Sequence, residues 1–347
     1  MTENIWNKST IEELGGKYNS GKNDDFSWVL DEDKKILNLN KEKVEGSDDK
    51  KKKILNLNMD KTSVNLGLPS QVHGDAKNAK FFLCLLNPRV QDSKKLKEKE
   101  DTLKGKNMSV EDYKNIENKN GDESFGDLNK YYTHIKDEQN ILAKEYNYAK
   151  NNSDSNDDSL YYLSHYYYFM FEKKEEQGKK GAKEKGINTF LSKNKVEIEN
   201  LDICNLELFP YRTESKPRGG LFKKGKTYKD LESSKYVANI IPDRVLSESE
   251  TPIFVFRSYR DWFEVLLQEF AKRQEFKKID EELDENNGLT EEENLEDTIL
   301  KQYLEATNDY FYEFSAPQNG SLSMNNIKKA TVKINNFEYK DIKDIFN

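Results

Sequence analysis

Six consecutive apolar residues, Phe81 to Leu86, end abruptly at Asn87-Pro88-Arg89 in the stretch KNAKFFLCLLNPRVQD, residues 77–92. A run of this length with no polar interruption suits a strand covered on both faces, as in a parallel sheet between helices. Stopping such a strand at an amide, a proline and an arginine places polar groups at the sheet's edge. In open α/β sheets, ligands bind outside the carboxyl ends of the strands. Asn87 is therefore the first candidate site residue.

Three further segments fit the same scheme. VEIENLDICNLELFPYRTES turns apolar over 203–209 and stops at Phe209-Pro210-Tyr211. TPIFVFRSYRDW predicts a strand at 253–256 that gives way to Arg257. A helix follows in YRDWFEVLLQEFAKR, with Trp262, Val265, Leu266 and Phe270 on one face. YFYEFSAPQNGSLSMNNIKKA supplies a fourth apolar segment, then a Gly/Ser/Asn turn, then a short predicted helix. LYYLSHYYYFMFEKK, residues 160–174, reads as a buried helix. Strands separated by helical segments predict an α/β fold, a central mainly parallel four-stranded sheet flanked by helices.

The core is diluted by long polar insertions. Only 35% of the 347 residues are hydrophobic and another 35% are charged, against an apolar share of roughly 45–50% in an average domain. The polar insertions fall near 91–158 and 274–300. Residues 1–62 form an N-terminal extension, 63–335 the α/β domain and 336–347 a C-terminal tail. The extension carries KKILNLN twice, at 34–40 and 52–58. Two copies are too few for a solenoid. The alternation of apolar residues with Asn allows a hairpin of two short strands, and a low-complexity duplication without functional meaning is the plainer reading.

Charge and cysteine usage narrow the function classes. The net charge of -8 speaks against nucleic acid until its location is considered. Ten acids and no Lys or Arg lie between Asp280 and Asp297, and without them the chain would carry +2. That block reads as a solvated face or an insertion, or as a DNA mimic. KPRGGLFKKGKTYK, residues 216–229, holds Lys216, Arg218, Lys223, Lys224, Lys226 and Lys229 with no acid. Its interleaved Phe222 and Tyr228 suit a loop that tracks phosphates, and a solvated lysine loop fits it equally well. Cys84 and Cys204 sit inside apolar runs and read as buried thiols in a reducing, cytoplasmic compartment. His73, His134 and His165 show no metal-ligand spacing, so no metal and no cofactor are expected. No run approaches the ~20 apolar residues of a membrane span.

Taken in order, GDAKNAKFFLCLLNPR, NLELFPYRTES, FVFRSYRDW and SAPQNGSLSMNN resemble the motifs of the uracil-DNA glycosylase superfamily, over roughly residues 66–330. The resemblance implies a metal-independent enzyme that flips a base out of DNA, hydrolyses its N-glycosidic bond and leaves an abasic site. Asn87 would position the attacking water, with Pro88 beside it at the base pocket. Leu322 would be the wedge that fills the space left by the extruded base, with packing in the core as the competing reading. Gly320, Ser321 and Ser323 would hold phosphates, Ser323 also capping a helix that begins near Met324. Arg218, Lys223 and Lys224 would add phosphate contacts, and Arg257 either contacts a phosphate or pairs with a core acid. Phe209 and Tyr211 would stack on the base or pack beneath it. Arg89 stands where the family usually has Gly.

Glu207 overlies a segment in which related enzymes read uracil with an asparagine. A carboxylate cannot donate to the O4 of uracil, but it can accept from the exocyclic amine of cytosine. The expected substrate is thus a cytosine-type or modified base, in DNA repair or antiviral defence. A catalytically silent nucleic-acid-binding module on the same fold is a second reading, and a metal-dependent nuclease a third.

Overall fold

The structure is a computed structural model that describes residues 5–7, 9–13, 29–39, 69–88, 135–151, 160–172, 181–211, 221–246, 252–273, 302–315, 322 and 326–330. Within them one mixed α/β sheet of seven strands is built. In chain order these are β1 (Val72–His73), β2 (Phe81–Leu85), β3 (Lys136–Asp137), β4 (Ile203–Glu207), β5 (Ile253–Phe256), β6 (Phe311–Phe314) and β7 (Ile327–Lys329). They lie in the order β3-β1-β4-β2-β5-β6-β7.

The four strands expected from sequence are the inner four. β4, β2, β5 and β6 run parallel, with Leu85 opposite Glu207, Cys84 opposite Phe256 and Phe256 opposite Glu313. The sheet has seven strands rather than four because short strands extend it at both margins. β1 joins β4 antiparallel and carries β3 beside it, and β7 pairs antiparallel with β6. Strands of two or three residues are too short to show an alternation.

Successive side chains of the inner strands point to opposite faces, and each face is covered. On the first, Phe81, Leu83, Leu85, Ile203 and Val255 share a core with Leu163, Tyr166, Tyr167 and Phe190. Its cover is α2 (Ile141–Asn151), the 160–171 segment, α3 (Ala182–Ser192) and α4 (Lys195–Glu199). On the second, Phe82, Cys84, Cys204, Leu206, Phe254 and Phe256 pack against Trp262, Val265, Leu266 and Phe270. Here the cover is α1 (Asp31–Ile36), α5 (Glu232–Ala238), α6 (Ile240–Val245) and α7 (Tyr259–Ala271). Phe82 stacks on Phe254 with centroids 4.6 Å apart. The Trp262 indole donates to the Leu85 carbonyl at 3.1 Å, pinning α7 to the end of β2. Both cysteines are buried and free.

Several local expectations are corrected. The first KKILNLN copy is not a strand. Its Lys34, Lys35 and Ile36 end α1, and Leu37 makes a single antiparallel bridge to Phe222. Three acids in the first turn of α1 and two lysines in its last favour a helix through the backbone dipole. The second copy lies outside the described residues, as do the acidic 280–297 block and the C-terminal tail. Residues 72–73, for which the sequence predicts no strand, form β1. Residues 327–329, expected to be helical, form β7, where their backbone groups pair with Tyr312, Glu313 and Phe314. The 160–171 stretch is helical but irregular, with a π-helical Leu163–Tyr167 followed by a 3-10 turn, Tyr168–Phe171.

Candidate functional site at the carboxyl edge of the sheet

Parallel pairing forces the ends of β4, β2 and β5 to one edge. Glu207 closes β4 opposite Leu85, two residues before Asn87. Arg257 follows β5 directly, and its amide donates to the Cys84 carbonyl at 2.9 Å. Asn87, Glu207 and Arg257 thus arrive together from segments far apart in sequence. Asn87 is half-buried, and its amide donates to the Pro88 carbonyl at 3.1 Å. Glu207 is buried, with 1% of its surface exposed.

The first-face cover adds two tyrosines absent from the sequence-derived candidates. The Tyr162 hydroxyl donates to Glu207 Oε1 at 3.3 Å. The Arg257 guanidinium donates to the Tyr166 hydroxyl and lies over its ring, 5.3 Å from the centroid. Burial pushes the Tyr166 phenol up, and the nearby Arg257 charge pulls the other way. This tyrosine therefore stays a neutral donor and acceptor. A dense aromatic run on an irregular helix was the available signal, since π-helical turns recur at functional sites. Its apolar character had pointed only to burial.

Glu145 sets the position of that helix. Its two oxygens accept from the Tyr162 amide at 2.6 Å and the Leu163 amide at 2.8 Å. Burial raises its carboxyl to about 8 against the lowering effect of those two bonds. Next to it on α2, Lys144 pairs with Asp137 at 2.8 Å and donates to His73 Nδ1 at 3.2 Å. Since an ammonium only donates, a neutral His73 carries its proton on Nε2, facing Ser70 Oγ at 2.7 Å. Ser70 is accordingly not activated as a nucleophile by this histidine.

Other candidates go elsewhere. Phe209 and Tyr211 lie in the second-face core, fully buried, with rings 5.1 Å apart in an edge-on contact. Tyr211 donates to Asp33 Oδ2 at 2.7 Å and accepts from the Leu30 amide, so it clamps the N-terminal segment from within the second-face core. Leu322 is in the first-face core at 1% exposure, and its amide donates to the Tyr166 carbonyl at 3.1 Å. It is a packing residue here, not a projecting wedge. Lys223 Nζ donates to the Lys35 carbonyl at 2.6 Å, while Lys224 is exposed. The basic segment also meets acids: Lys226 pairs with its near neighbour Asp230, and Lys229 with Glu264 of α7. Arg89, Arg218, Gly320, Ser321 and Ser323 lie outside the described residues.

Among the described residues, no group of three or more His, Cys, Asp and Glu side chains is arranged to hold a metal ion. No described helix is long and apolar enough to cross a membrane. The chain matches no family model, and no curated protein or solved structure matches it.

Proposed function

We propose that the carboxyl edge is the active site of a monofunctional DNA glycosylase that hydrolyses the N-glycosidic bond of a cytosine-type or modified base. The observation that carries this reading is the meeting of an amide, a carboxylate and a guanidinium at the ends of three adjacent parallel strands. Asn87 offers a carbonyl oxygen that orients a water towards C1′. As the C1′–N bond breaks, its electron pair leaves with the base and positive charge develops on the sugar. The water oxygen bonds to C1′, and its proton goes to the departing base or to solvent. Nearby negative charge and fixed dipoles stabilise such a transition state more than they stabilise the ground state. Glu207, steadied by Tyr162, accepts from the exocyclic amine of the base. Arg257, stacked on Tyr166, supplies positive charge for a phosphate or for the departing base. No cofactor is invoked, and repair or antiviral defence would both use the reaction.

Incubation with oligonucleotides carrying cytosine, modified cytosines or uracil, followed by mass spectrometry of the released bases, tests the reading. Release of a cytosine-type base, reduced at least ~100-fold in Asn87→Ala with DNA binding retained, supports it. DNA binding without release of any base points instead to the catalytically silent module. Fast uracil release with inert cytosine derivatives overturns the role given to Glu207.

A further inference from the structure

The form of the nucleic acid can be read from two features, one packed against the 160–171 segment and one on it. The first is the burial of Leu322. A side chain at 1% exposure, with its amide tied to the Tyr166 carbonyl, sits in the core and is not poised to enter a base stack. A duplex-acting enzyme that extrudes a base must offset the lost stacking, commonly with an inserted apolar side chain.

The second is an aromatic row that begins at the site and runs outward. Tyr162, over Glu207, meets Tyr161 edge-on at 5.3 Å. Tyr161 in turn lies against the His165 ring at 4.4 Å with a 31° tilt. Tyr161 and Tyr162 are half-exposed and His165 is exposed. The row is held from within by the Glu145 bonds to the Tyr162 and Leu163 amides, and the His165 ring lies 2.9 Å from the Tyr161 carbonyl. Arg257 on the Tyr166 ring adds a cation at its inner end. Half-exposed rings beside a guanidinium are an arrangement on which unpaired bases stack, since every base presents a π-face.

We infer that the protein takes single-stranded DNA, with nucleotides flanking the target stacked on Tyr161 and His165. The inference rests on the glycosylase reading for the position of the target base, but binding tests it separately from base release. The occupant is an unpaired strand and not a duplex, because paired bases keep their faces inside their own stack.

Fluorescence anisotropy with a labelled cytosine-containing 12-mer, free and annealed to its complement at one fixed salt concentration, is the test. The single strand should bind at least ~10-fold more tightly than the duplex. Tyr161→Ala and His165→Ala should each weaken single-strand binding about 10-fold, whereas Tyr161→Phe should retain it. Circular dichroism confirms that each variant is folded, and the exposed His165 keeps the test available if Tyr161→Ala is not. Equal or tighter duplex binding overturns the inference, as do folded alanine variants that bind like the wild type. Base release is assayed in parallel, so that stacking without catalysis sinks the glycosylase reading alone.

Discussion

The Tyr211 hydroxyl donates to the buried Asp33 carboxylate at 2.7 Å, joining residues 178 positions apart. Asp33 also accepts from the Glu232 amide at 2.8 Å, at the first turn of α5. Burial raises the Asp33 carboxyl, and its bonds to Ser233, Tyr211 and the backbone oppose that rise. One side chain thus ties the N-terminal segment, the end of β4 and a helix start into a single junction.

Removing one partner of that junction should be felt as lost stability. Tyr211→Phe leaves the Leu30 amide and an Asp33 oxygen short of a bond, at a cost of about 1–3 kcal/mol. Urea unfolding measures it, and a double-mutant cycle with Asp33→Asn should show coupling. Base release by the folded variant should be unchanged. If Tyr211→Phe instead abolishes release at full stability, Tyr211 belongs to the site after all.

Leu322→Ala distinguishes packing from wedging. Deleting a leucine side chain from a well-packed core costs about 2–5 kcal/mol. The expected result is a lower urea midpoint with the ratio of single-strand to duplex binding unchanged. A stable variant that loses duplex activity selectively would restore the wedge.

The Glu145 carboxyl predicts a pH dependence. Its native value, about 8, lies above the ordinary 4.5 because of burial, so the folded protein holds this proton more tightly than the unfolded chain. Its contribution to stability is full below about pH 4.5 and is lost as pH rises through 8. Urea midpoints measured from pH 5 to 8 should fall with pH, and Glu145→Gln should flatten that slope. Identical slopes in the two proteins would exclude Glu145 as the source.

Gly74 adopts a φ of +119°, and a Cβ built there would stand 2.3 Å from the Ile203 carbonyl oxygen. Both the conformation and the close approach of β1 to β4 therefore require glycine. Gly74→Ala should destabilise by more than ~1 kcal/mol, seen as a lower melting temperature. Gly225 makes a useful comparison: its φ is +76° but nothing lies within 4 Å, so alanine there meets the backbone penalty alone.

Much of the sheet was legible because strands covered on both faces are rich in apolar residues, without interruption in Phe81–Leu85 and Ile253–Phe256. Phe81–Leu85, Ile203–Glu207, Ile253–Phe256 and Phe311–Phe314 each sit between clear breakers and form the parallel core. The helix at 259–271 was legible for a similar reason, since Trp262, Val265, Leu266 and Phe270 recur with the helical period and are all buried. The meeting of Asn87, Glu207 and Arg257 then follows from parallel pairing, once the register is known.

What residues contribute after leaving a strand could not be read locally. Phe209 and Tyr211 follow Glu207 by two and four positions, yet they enter the opposite core because the side-chain alternation breaks after Glu207, where the consecutive Leu208 and Phe209 amides donate to the Leu85 and Leu86 carbonyls. Tyr162 and Tyr166 reach the site only because Glu145, on a separate helix, holds their segment in place. Lys229 looks like part of a free basic run in sequence, but Glu264 of α7 pairs with it.

Apolar patterning acts within a few residues, so it marks the inner strands and the polar residues that end them. Strand order, the edge strands, the face each side chain serves and the partners of each charge are set only once the whole chain has folded. Those outcomes depend on contacts between segments as much as 200 positions apart, such as Asp33 with Ser233. No local pattern encodes the distance between such residues in space.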